Sequence, residues 1–133
     1  MNQAQGRAEL YALVAGRVIA GLREARGWQQ QELAEKTGMS QTMIARIEKG
    51  SREIGPYQLN QLAAAFGRKP EEILALIDQG VARTESAAKA TFNRKETSWW
   101  QVALTIAGLV GVIGLVTFAV AAVLNEDKEK RKS

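Results

Sequence analysis

The stretch Gln29-Gln30-Gln31-Glu32-Leu33-Ala34-Glu35-Lys36-Thr37-Gly38-Met39-Ser40-Gln41-Thr42-Met43-Ile44-Ala45-Arg46-Ile47-Glu48-Lys49-Gly50 decides the fold of this chain. Leu33 and Ala34 supply the inward side of a short helix from Gln30 to Thr37. Gly38 then permits a tight turn, and Ser40 is suited to cap a second helix that runs to about Lys49 and stops at Gly50. Ile44 and Ile47, three residues apart, fall on one face of that second helix. Gln41, Thr42, Ala45 and Arg46 are left on its outer face, toward its N-terminal half.

Outward from this pair the pattern stays helical. Leu10, Val14, Val18 and Leu22, with Ile19 beside them, predict a helix from Ala8 to Ala25, closed by Gly27. Pro56 opens a fourth helix with Leu59, Leu62, Ala63 and Phe66 on one side and Gly67 as its stop. Pro70-Glu71-Glu72 opens a fifth, whose inward stripe is Ile73, Leu74 and Ile77. Glu71 and Glu72 read as dipole-matched first-turn residues, not as a catalytic pair. No segment alternates with the period of a strand. The expected fold class is all-α: a five-helix domain over residues 8–78, a polar linker over 79–98 with an alanine-dense stretch from Ser86 to Thr91 that can itself be helical, and one membrane-spanning helix.

Two short helices joined by a tight turn dock on DNA with the second helix in the major groove and its N-terminal residues on base edges. Here the chain resembles the Cro/repressor-type, or xenobiotic-response-element, helix-turn-helix family. The resemblance runs from about Ile19 to Leu76. It is carried by Leu22 to Gly27, by Gln-x-x-Leu-Ala-x-x-x-Gly from Gln30, by Ile44-x-x-Ile-Glu-x-Gly, and by Leu59-x-x-Leu-Ala-x-x-Phe-Gly. Ile54-Gly55-Pro56 departs from the family's usual proline placement. The resemblance implies double-stranded DNA as partner, read by a homodimer. Gln30 would touch a phosphate and brace the second helix, and Ser40 would cap it with amides facing phosphate. Gln41 and Thr42 match the leading base-reading positions; glutamine pairs with adenine and a threonine methyl touches that of thymine. Ala45 stands where a larger polar residue is common. Arg46, one turn on, can reach guanine or phosphate, and Lys49 and Arg52 match phosphate clamps. Trp28 falls at an apolar position before the first helix of the pair and is expected to pack, not to stack on a base.

Trp99 to Leu124 is 26 residues without a charge. A spanning helix needs about 20 mostly apolar residues. A five-helix domain of this size cannot enclose such a run, so it is expected to cross a membrane. Trp99 and Trp100 suit the interfacial aromatic belt. Ala103, Ala107 and Gly111 form a small-residue stripe on which two such helices can pack. Residues 125–133 would be a charged tail. Lysines and arginines flank both ends of the run, so charge bias does not set its orientation. A DNA-binding front domain and the lack of an apolar leader place that domain in the cytoplasm, on the inner membrane.

Composition removes other classes. The 133 residues contain no Cys and no His, which excludes thiolate and imidazole metal sites and the commonest catalytic bases. No enzyme, cofactor or metal is expected. The net charge of +4 is spread along the chain and by itself says little about nucleic acid. A rival class is a membrane-anchored protein-interaction module, because the layout also resembles that of the cytoskeletal adaptor RodZ. An antitoxin-like partner of a membrane toxin is a further alternative.

Overall fold

A computed structural model describes residues 3–91, with side chains through Lys89. Among them are five helices and no strand: α1 (Gln3–Ala25), α2 (Gln30–Thr37), α3 (Gln41–Lys49), α4 (Pro56–Phe66) and α5 (Pro70–Thr91). The local signals act as the sequence implies. Glu32 Oε1 accepts from the Gln29 N–H at 3.2 Å and so ties down the start of α2. Gly38 ends α2 in the left-handed region at φ 73°, a conformation that costs a residue with a Cβ and costs glycine little. The buried Thr37 hydroxyl donates to the Leu33 carbonyl at 2.8 Å and accepts from Met39 N–H at 3.4 Å, which fastens the turn from inside. Ser40 Oγ then accepts from Met43 N–H at 3.1 Å and starts α3. Ser40→Ala is expected to lower folding stability by about 1 kcal/mol, read as a shift of the urea midpoint, because one first-turn N–H loses its acceptor.

Leu33, Ile44, Ile47, Leu62, Phe66, Ile73 and Ile77 meet Val14, Val18 and Ile19 in one core, each nearly closed to solvent. Burial of such a side chain contributes about 1.5–3 kcal/mol. α1 is the hub and packs on α3, α4 and α5. Trp28 is half-buried, as its position implies. Its ring lies on Phe66 at 5.8 Å between centroids and 11° between planes, with the Lys36 ammonium 4.6 Å from its centroid. This joins the segment before α2 to the end of α4.

The outer helices are longer than the sequence implies. α1 begins at Gln3, not Ala8, and α5 runs past Asp78 to Thr91, through a stretch read as linker. Gly80, Thr84 and Ala88 are buried, and the Thr84 hydroxyl is satisfied within the helix by the Gly80 carbonyl at 2.8 Å. Arg7 reaches Glu85 at 3.4 Å, while Ala12 and Ala15 share a hollow with Leu74 and Ile77. α1 and α5 are therefore antiparallel. Among the described residues no helix is long and apolar enough to cross a membrane. The run Trp99–Leu124, its stripe Ala103, Ala107 and Gly111, and the rest of the linker lie outside the described residues.

Candidate nucleic-acid interface

The outer face of α3 is set by what its inner face must do. Ile44 and Ile47 are fully buried, and Glu48 is 6% exposed. At 3.6 residues per turn the opposite side then carries Gln41, Thr42, Ala45, Arg46 and Lys49. These five, with Ser51 from the following loop, line one shallow open depression. It holds two cations and no carboxylate. Gln41, Thr42, Arg46 and Lys49 are exposed, and Ala45 is half-buried. α3 is nine residues long, and an α-helix about 10–12 Å across with its side chains fits a major groove about 12 Å wide.

The other expected site residues do not line this depression. Ser40 is exposed at the N-cap of α3, with its hydroxyl oxygen engaged by Met43 N–H. Gln30 is half-buried at the first position of α2. Arg52 is exposed two residues beyond the α3 cap. That cap is stitched by Gly50 N–H to Ile47 O at 3.1 Å, Ser51 N–H to Arg46 O at 3.0 Å and Ser51 Oγ to Arg46 O at 3.2 Å. Three successive polar groups thus fix the exit of α3 and the direction in which Lys49 and Arg52 leave it. α4 starts at Pro56 with Gly55 as N-cap, so the unusual proline placement still opens a helix.

Two positions that hold α3 in place escaped the sequence reading. Arg23 on α1 donates from Nε and Nη2 to the Glu48 carboxylate at 2.9–3.1 Å, and from Nη1 to the Trp28 carbonyl at 2.7 Å. The hydrogen bond to Glu48 is the main cause that raises the Arg23 pKa above its ordinary value, against burial, which lowers it. The second is Gly16 on α1. A Cβ there would strike the Ile47 carbonyl oxygen and come within 2.6 Å of the Glu48 carbonyl oxygen. The backbones of α1 and α3 are in direct contact at that point. Arg23 and Glu48 are 25 residues apart, and only the helix crossing brings them together. Among the described residues no three acidic, His or Cys side chains gather to hold a metal.

Residues 19–73 match the profile of a family described as Helix-turn-helix. Over these residues the chain is similar to helix-turn-helix domains. The match spans α2, α3 and α4, with the end of α1 and the first turn of α5. Over 63 residues the chain is also 35% identical to a protein named competence pilus inhibition repressor, from Acinetobacter baylyi. That alignment takes in 47% of this chain and 57% of the relative, so the chain spans little more than half of the relative's length. No solved structure matches the chain.

Proposed function

We propose that the protein is a membrane-anchored, sequence-specific DNA-binding transcriptional regulator. The observation that carries this reading is the α3 face: a short helix clamped from behind, with Gln41, Thr42, Arg46 and Lys49 exposed and no carboxylate among them. The helix-turn-helix match and the likeness to a repressor support it. Gln41 and Thr42 read base edges, Arg46 reaches guanine or phosphate, and Lys49, Arg52, Gln30 and the Ser40 turn hold the backbone. Two copies bind half-sites about one helical turn apart. The uncharged run Trp99–Leu124 is the anchor, with the front domain in the cytoplasm. It confines the protein to membrane-proximal DNA and raises the local concentration of one copy for another.

Band-shift titration of the full chain against fragments of the source genome tests the reading. Gln41→Ala and Arg46→Ala are each expected to weaken binding to the preferred fragment by about 1–3 kcal/mol and to relax base preference at one position. Lys49→Ala is expected to weaken all fragments about equally and to lower the salt slope by about 1. Absence of any shift at ~50–100 mM salt would sink the DNA reading, since phosphate contacts are strong there. The anchor has its own readout. A chain ending at Ser98 is expected to leave the membrane fraction and still bind the preferred fragment.

A further inference from the structure

A second surface shares no residue with the α3 depression. Tyr11 and Ala12 of α1, Ile54 of the loop before α4, Leu59 of α4, and Leu74 and Ile77 of α5 enclose a half-open hollow of about 270 Å³. It exists because α1 presents small residues there; Ala12 and Ala15 do not fill the space between α1, α4 and α5. Tyr11 and Leu74 are 38% and 37% exposed, large apolar side chains left facing solvent at the groove. The polar edge is acidic. Glu53 lines the groove, and Asp78 lies close enough to add to the effect of burial in pushing the Tyr11 phenol above its usual range. Neither carboxylate forms an ion pair among the described residues. An acidic edge on a chain of net charge +4 is a local exception that selects for cations.

We propose that this groove docks a segment of a partner protein that presents a large aliphatic or aromatic side chain beside a lysine or arginine. The lining sets the chemistry: apolar walls with an acidic edge suit an apolar anchor side chain that stands next to a cation. A second copy is disfavoured as occupant, because two such grooves packed on each other bring Glu53 and Asp78 of one copy toward the same carboxylates of the other. Glu53 and Ile54 belong to the loop that leads from α3 past Arg52 into α4, so an occupant also holds the segment next to the DNA-facing surface.

The test uses the full chain in phosphatidylcholine nanodiscs, with empty nanodiscs as blank. The probe is a labelled synthetic peptide with a phenylalanine-leucine pair flanked by lysines, set against the same peptide flanked by glutamates. Fluorescence anisotropy is expected to show saturable binding of the lysine peptide, about tenfold tighter than the glutamate peptide. Leu74→Lys and Glu53→Lys, both at exposed positions, are expected to weaken it about tenfold or more with helical content unchanged. Glu53→Gln, which removes the charge and keeps the size, should give a smaller loss. Equal binding of the two peptides, or binding indifferent to all three variants, overturns the proposal. So does a result in which the variants change self-association in sedimentation while no peptide binds, which would assign the groove to a second copy. Band shifts run on the same samples report the DNA reading separately, so the failure of one is not mistaken for the failure of the other.

Discussion

Glu48→Ala is expected to remove about 3–5 kcal/mol of folding stability, the range for breaking one side of a buried ion pair. The side chains of Arg23 and Glu48 are 13% and 6% exposed, so water replaces the lost carboxylate only in part. Arg23 cannot discharge itself, because a guanidinium stays protonated in proteins. It keeps only the Trp28 carbonyl at 2.7 Å and the Glu24 carboxylate at 3.6 Å, the latter largely in solvent. A domain of this kind holds about 5–15 kcal/mol in all, so the loss is a large fraction of the total. Urea unfolding followed by far-ultraviolet circular dichroism is the measurement. A cost below about 1 kcal/mol, typical of a surface pair, would show that the bridge is not closed to solvent as the geometry has it. Replacing both partners, Arg23→Met with Glu48→Leu, separates stability from placement. It is expected to recover much of the stability, since buried pairs often exchange with apolar residues at little net cost. The DNA-binding defect should remain larger than the stability defect, because the bidentate bond fixes α3 against α1 in a way that apolar contacts do not.

The pair also shows where sequence reading stops. The helix pair α2–α3 and the helix α4 were legible to the residue because their signals are local. Ser40 caps from three residues away, Gly38, Gly50 and Gly67 close turns by their own dihedral angles, and Pro56 and Pro70 open helices by their rings. The start of α1 and the end of α5 carry no such marks. Gln3–Arg7 and Ala82–Lys89 are polar or small, and their helicity is supported by the packing of the two helices on each other. A scan for large apolar residues passes over Gly80, Thr84 and Ala88, although they stand four residues apart and are all buried. That spacing of small residues is the signal that could have extended α5. The outer face of α3 was legible by subtraction once Ile44 and Ile47 were assigned inward. The supports behind it were not, because Arg23 with Glu48 and Gly16 with Ile47 are long-range contacts that exist only after α1 crosses α3.

Gly16→Val is the substitution expected to separate fold from function most sharply. In an isolated helix, alanine at this position would gain about 1 kcal/mol over glycine. In the folded domain the sign reverses. The atoms a Cβ meets are the Ile47 and Glu48 carbonyl oxygens and the Glu48 carbonyl carbon, all backbone, so no rotamer change relieves the overlap. α1 and α3 must move apart, and Val14, Val18, Ile44 and Ile47 lie in the core at that junction. Overpacking of this kind costs about 1–3 kcal/mol, with valine expected at or above the upper end and alanine near the lower end. The carbonyls struck belong to the last turn of α3, directly after Arg46 and before the cap that aims Lys49 and Arg52. A shift there tilts the whole outer face relative to α2. Both variants should therefore bind the preferred DNA fragment more weakly than their folded fraction allows, tested by band shifts at a temperature where circular dichroism shows them folded. A rise in melting temperature for Gly16→Ala would show that the helix-propensity gain outweighs the contact. It would remove the close α1–α3 approach from the account of how this domain presents the outer face of α3.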